Sequence, residues 1–232
     1  FKPEFAEAYA EYNPEKAQEL LDKIGMKDVN GDGYREGPEG ELFNPILIYC
    51  NNIGPVNPTP VLELLRSRWE EIGINIDIKM VDRSLHWQRV TGNNMDMTVW
   101  TGDNILLTFG APGHMAKYLA PLGNPGQSTW PAYCNWYTTN GEEGIEPPKE
   151  IKQLIKWGED LGFSPDRERR LEAGRKILES QAKNLWTIGT VGMAPQPILI
   201  SENLKNVPEK GLWDWAIRYM RPMYPVQFYL DE

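Results

Sequence analysis

The sequence predicts an α/β fold, a largely parallel sheet with helices on both faces. Three observations predict it. Segments of helical spacing alternate with short runs of strand spacing through the first hundred residues. Three helix starts share one pattern, a capping side chain before a proline, at Asn13-Pro14, Thr59-Pro60 and Ser164-Pro165. Ile74, Ile76, Ile78 and Met80 alternate with Asn75, Asp77 and Lys79, the period of a strand with one polar face. Strands separated by helices build parallel sheets, and such sheets bind ligands at the carboxyl ends of their strands.

In order along the chain, Ala17, Leu20, Leu21 and Ile24 give the first helix an apolar face, and Gly25 ends it. Phe43 to Tyr49 contains the run ILIY, a buried strand. Leu62, Leu65, Trp69 and Ile72 line the second helix, which Gly73 stops. The alternating strand to Met80 follows, then a helix, then the strand Met95 to Trp100 (MDMTVW), whose carboxyl end is Thr101-Gly102-Asp103-Asn104. Residues 101 to 148 are rich in Gly, Pro, Asn and aromatics and show no clear periodicity. A loop of that length is functional or disordered, and its aromatic content speaks against disorder. A helix near Pro148 carries Ile151, Leu154, Ile155 and Leu161. A longer one after Ser164-Pro165 carries Leu171, Ile177, Leu178, Ala182 and Leu185. Ile188 to Val191 and Ile198 to Ile200 are weaker strand candidates.

The chain has 232 residues and a formal net charge of -9, which excludes a basic nucleic-acid surface. No apolar run reaches the ~18 residues of a membrane span. The chain opens on FKPEF, with neither Met nor an apolar leader, so its native ends are expected elsewhere. Cys50 and Cys134 read as free thiols or, in an exported protein, a disulfide. His86 and His114 stand alone, with no metal-ligand spacing. There is no Walker loop, no GxSxG elbow, no HExxH and no Cys/His dyad, and no pattern singles out a pair of carboxylates. An enzyme is not expected.

The stretch DVNGDGYRE, residues 28–36, has two readings. As a calcium loop, Asp28, Asn30 and Asp32 take the first ligand positions, Gly33 makes the turn and Glu39 falls where a bidentate glutamate belongs. Against this, Arg35 stands where an apolar residue packs, Pro38 precedes the last ligand and a strand follows instead of a helix. As a helix-to-strand connection, its Asn and Asp side chains satisfy their own backbone in Asx turns.

Several segments in order resemble one family. YNPEKAQELLDKIGMKDVNGDGYREGPEGELFNPILIY resembles the start of the C-terminal lobe of family 5 extracellular solute-binding proteins, the binding components of bacterial ABC importers for oligopeptides, nickel and oligosaccharides. LELLRSRWEEIGINIDIKMVD resembles the family's next helix and strand, and NNMDMTVWTGDN the strand after it. The resemblance implies a lobe of a type II periplasmic-binding-protein-like fold. Residues 1–12 would lead in from a missing N-terminal lobe, 13–207 would form the C-terminal lobe and 208–232 an aromatic-rich returning tail. It also implies an oligopeptide or oligosaccharide held between two lobes, a permease partner in the membrane, no nucleic acid, no required cofactor, and a periplasmic or cell-surface location, with a lipid anchor in the full-length protein.

Peptide binders of the family carry an acidic residue shortly after the Trp of the third strand, where it grips the peptide's amino terminus. Trp100-Thr101-Gly102-Asp103 matches that spacing, which makes Trp100, Gly102, Asp103 and Asn104 candidates for ligand binding. The chain then continues NILLTFGAPGHM, where the peptide binders continue in an Asn-Glu-Pro manner. Trp130, Tyr133, Trp136 and Tyr137 form a second candidate surface, since sugars stack on aromatic rings; the other reading is that these rings pin the loop to the domain. The alternatives are a calcium-stabilised carbohydrate-binding module and an enzyme working through undetected carboxylates.

Overall fold

The computed structural model describes residues 2–51, 53, 57–100, 118–189, 197–211 and 225–231. A short helix, α1 (Pro3–Ala6), precedes α2 (Pro14–Lys23), β1 (Ile46–Tyr49), α3 (Thr59–Glu70), β2 (Asp77–Met80), α4 (Arg83–Thr91) and β3 (Met97–Thr98). The second half holds a 3-10 turn at Pro125–Gln127, α5 (Pro131–Thr138), α6 (Lys149–Phe163) and α7 (Arg167–Asn184). A small ribbon of β4 (Leu204–Lys205) and β5 (Tyr229–Leu230) follows. The predicted α/β class and the parallel sheet are present; the strands are shorter than predicted.

The sheet order is β2-β1-β3, and both pairings are parallel. Ile46 to Tyr49 register with Asp77 to Met80, and Leu47 and Ile48 with Met97 and Thr98. Alternation then assigns faces. Leu47, Tyr49, Ile76, Ile78, Met97 and Val99 pack with Leu62, Leu65 and Trp69 of α3 on one face. Ile48 and its partner Thr98 face the other way, where Thr98 meets His86 of α4. Helices therefore cover both faces. The Asp96 carboxylate accepts the Ile46 N–H at 2.8 Å, so the Asp that opens the third strand ties down the start of the first.

Asn13 caps α2 through the Lys16 N–H, and Gly25 and Gly73 end their helices with φ of +90° and +82°. Two predicted caps are placed differently. The Thr59 hydroxyl is taken by Asn57 and by the Tyr49 hydroxyl; Asn57 Oδ1 in turn accepts the Thr59 N–H. After Ser164-Pro165 the cap is Asp166, which accepts the Glu168 N–H. The loop at 101–148 is also not wholly irregular, because its second half contains α5. On α7 the buried residues are Ala173, Ile177 and Ala182, while Leu171, Leu178 and Leu185 stay exposed. The apolar face predicted for α2 leaves Leu20 and Ile24 exposed. Ile198 to Ile200 form no strand and lie exposed, Leu199 at 98%. Of the other weak strand candidate, residues 190 and 191 lie outside the described residues.

A second apolar cluster joins Ala120, Leu122, Ile151, Leu154 and Ile155, with Trp130, Tyr133, Tyr137, Trp157 and Trp186 against it. Helices α6 and α7 pack along one another. Tyr137 donates to Glu159 at 2.8 Å, and burial together with that bond pushes its phenol up to about 12. Cys50 and Cys134 are both buried and not in a disulfide; burial pushes the Cys134 thiol up to about 11, which keeps it protonated and unreactive.

Leu47 is 1% exposed, whereas Leu64 on the outer side of α3 is 59% exposed. Leu47→Ala is expected to cost about 3 kcal/mol and Leu64→Ala less than about 0.5 kcal/mol, read from urea midpoints at constant slope.

Candidate functional site

The chain runs from β1 to β2 on one side, then crosses through α4 to β3 on the other. The order thus switches between β1 and β3, and in parallel sheets the crevice for a ligand opens outside the carboxyl ends at that point. Tyr49 and Thr98 end the two strands. The Tyr49 hydroxyl bonds Thr59 at 2.9 Å, fastening the end of β1 to the start of α3. Trp100 lies two residues past Thr98, on the same face by strand alternation.

A ring cluster surrounds Trp100. Asp82 caps α4 by accepting the Ser84 and Leu85 N–H groups, and the first turn of that helix presents Arg83, His86 and Trp87. His86 is fully buried; its Nε2 is 2.7 Å from Thr98 Oγ1. Its ring stacks on Trp100 at 5.5 Å and 26°, and Trp87 meets it edge-on at 4.9 Å. Trp87 and Trp100 lie 4.5 Å apart at a tilt of 58°, and the Arg83 guanidinium sits 5.2 Å over the Trp100 ring. His86 Nδ1 has no partner among the described residues. Burial first, and the Arg83 charge second, hold the His86 pKa below its ordinary value, so the ring is neutral. No metal-ligand spacing surrounds His86 in the sequence; besides adjacent Trp87, its partners Thr98 and Trp100 lie 12 and 14 residues away on another element. The adjacent His86-Trp87 pair facing a strand that ends in Trp100 is the signal that could have found the cluster.

Of the predicted ligand-binding residues, Trp100 is thus placed at the carboxyl end of β3. Gly102, Asp103 and Asn104 lie outside the described residues. Trp130 and Tyr133 are half-buried against the second apolar cluster, and Trp130 meets Trp186 edge-on at 5.6 Å. Trp136 lies beneath the Lys152 ammonium at 5.3 Å and beside Gly141. These rings pack the second half of the domain together.

The loop at 28–36 closes on itself. Asp28 accepts the Gly31 and Gly33 N–H groups at 2.7 and 2.9 Å, Asn30 accepts from Asp32, and Asp32 accepts from Tyr34. Buried Glu36 takes the Val29 N–H and the Asn30 amide. Arg35, its side chain 14% exposed, donates to the carbonyls of Met26 and Ile72 and pairs with Asp22. This arginine therefore docks the loop onto the end of α3 in place of an apolar side chain. Among the described residues no three of His, Cys, Asp and Glu converge as metal ligands, and Glu39 does not join Asp28, Asn30 and Asp32 in such a group. The Asx-turn reading describes this geometry.

The sequence pattern of the bacterial extracellular solute-binding proteins, family 5 (middle region), matches residues 1–140. The chain belongs to this family. As a family 5 chain it is similar to the periplasmic alpha-galactoside-binding protein of Rhizobium meliloti (strain 1021), at 22% identity over 214 residues, 90% of this chain and 29% of the relative. The oligopeptide-binding protein OppA superposes with a TM-score of 0.72 at 26% identity, over 100% of this chain and 37% of that one. The periplasmic binding protein MelB from Agrobacterium fabrum C58, in complex with stachyose, superposes with a TM-score of 0.59 at 24% identity, over 78% of this chain and 26% of that one. This last likeness speaks to fold alone. The chain spans about a third of the length of these relatives. Its architecture is that of the type II periplasmic binding proteins, and its family binds solutes. Among the described residues no helix is long and apolar enough to cross a membrane.

The depressed His86 pKa fixes a pH dependence. Unfolded histidine takes up a proton near 6.5 and the buried ring does not, so stability falls as pH drops through that value. The melting temperature is expected to decline between about pH 7 and 5, and His86→Gln to flatten that decline. An unchanged slope in His86→Gln would contradict the buried neutral ring.

Proposed function

We propose that this chain is the second lobe of the substrate-binding component of an ABC importer. It would close with an N-terminal lobe around an oligopeptide or an oligosaccharide, outside the cytoplasmic membrane. The observation that carries this reading is the site itself. In a chain of this family the switch between β1 and β3 brings Trp100, Trp87 and Arg83 to the carboxyl ends of a parallel sheet. The similarity to an alpha-galactoside binder and to an oligopeptide binder supports the two ligand classes. The lengths of those relatives leave room for a first lobe, entered through residues 1–12 and rejoined through 208–232. The exposed apolar residues Leu199, Ile200, Val226 and Leu230 fit a surface that another lobe covers.

On this reading ligand binding is hinge closure, a shift of population from open to closed, after which a membrane permease takes the closed form. No bond is made or broken in the ligand. The sequence adds Asp103 as the group for a peptide's amino terminus, and a sugar would instead present hydroxyls to it.

Calorimetry on the full-length protein tests both ligands. Stachyose or a short peptide is expected to bind, and the isolated lobe to lose most of that affinity because half the contacts are gone. If a peptide binds, Asp103→Asn should weaken the free-amine form more than the N-acetylated form. Equal losses would remove the amine-gripping role, and tight binding by the isolated lobe would refute the two-lobed site.

A further inference from the structure

The cluster around Trp100 contains one residue that packing alone does not account for. His86 is completely buried, yet among the described residues Thr98 is its one hydrogen-bond partner and Nδ1 has none. Burying a polar ring with an unmet nitrogen costs stability that a leucine or phenylalanine would not lose. What the imidazole does that those side chains could not is hold two groups at once. Thr98 and Trp100 project to the same face of the strand, and His86 bonds the first while stacking on the second. Its neutral state keeps this arrangement from repelling Arg83, which lies over the other partner of the stack. The outer rings, Trp87 and Trp100, are only half-buried, so neither is wholly covered by its neighbours.

We propose that His86 is a positioning residue of the ligand cleft. By stacking on Trp100 and gripping Thr98, it fixes the pose in which Trp87, Trp100 and Arg83 offer one surface to a flat apolar face of the ligand. A sugar ring has such a face, with C–H groups for the indoles and hydroxyls for the guanidinium. The proposal rests on the two-lobed cleft described above, because only there does the carboxyl end of β3 meet a ligand. His86 itself touches no ligand; it acts through the orientation of Trp100.

The test reads ring geometry and affinity separately, in the full-length protein. Two indoles tilted at this distance give an exciton couplet in circular dichroism, assigned by its loss in both Trp87→Phe and Trp100→Phe. His86→Ala and Thr98→Val are each expected to reduce the couplet by about half or more, and to bind stachyose about three- to tenfold more weakly. Thr98→Val keeps the β-branched shape that a strand favours, so it keeps the test open if His86→Ala does not fold. A native couplet in Thr98→Val overturns the proposal, as does a lost couplet with native affinity. If the wild-type protein binds neither stachyose nor trialanine, the cleft reading fails, and the couplet still decides whether His86 holds Trp100.

Discussion

Everything in the first half of the domain depends on the burial of one four-residue strand. Ile46–Tyr49 has a parallel neighbour on each edge and a helix over each face, with Leu47 at 1% and Ile48 at 0% exposure. A strand closed on four sides leaves only its ends to a ligand, and in parallel α/β sheets the crevice lies at the carboxyl end. Parallel pairing carries the ends of β2 and β3 to the same side, and the crossover through α4 sets the switch point beside β3. The position of the candidate site thus follows from how ILIY is buried before any ligand-binding side chain is considered.

The same constraint explains the division of labour among the aromatic residues. Residues 97 and 99 face α3 and fill the core, whereas 98 and 100 face α4 and meet His86. One indole packs where its neighbour on the strand could not, because alternation sends it to the other side. In the second half, Trp130, Tyr133, Trp157 and Trp186 serve the packing of α5 and α6 instead. The bond from Tyr137 to Glu159 ties those two helices together, with the phenol kept protonated by its surroundings.

Much of this was legible in the sequence, and what was not had a physical reason. The caps at Asn13 and the stops at Gly25 and Gly73 are local, set by a side chain and its own helix end, so residue type reveals them. The alternation around Ile76 is equally local. The caps at Thr59 and Ser164 were misplaced because tertiary or neighbouring partners claimed the side chains: Tyr49 and Asn57 hold the Thr59 hydroxyl, and Asp166 supplies the third cap. The loop DVNGDGYRE carried a real ambiguity, since the carboxylates that would ligate calcium can also accept backbone N–H groups. Arg35 was the informative residue there, because its contacts with Ile72 and Met26 require the loop to face α3. His86 was only partly legible: Trp87 is its sequence neighbour, but Thr98 and Trp100, which it bonds and stacks on, belong to another element.

The central claim is that a ligand meets this lobe at the carboxyl ends of β1 and β3. Hydrogen exchange of the full-length protein, with and without the ligand it retains on purification, tests this most directly. The account predicts slower exchange on binding at the amides of Cys50, Val99 and Trp100, with the surface between α6 and α7 unchanged. Protection confined to Lys156, Trp157 and Lys176 on that helix pair, with Cys50, Val99 and Trp100 unaltered, would contradict it.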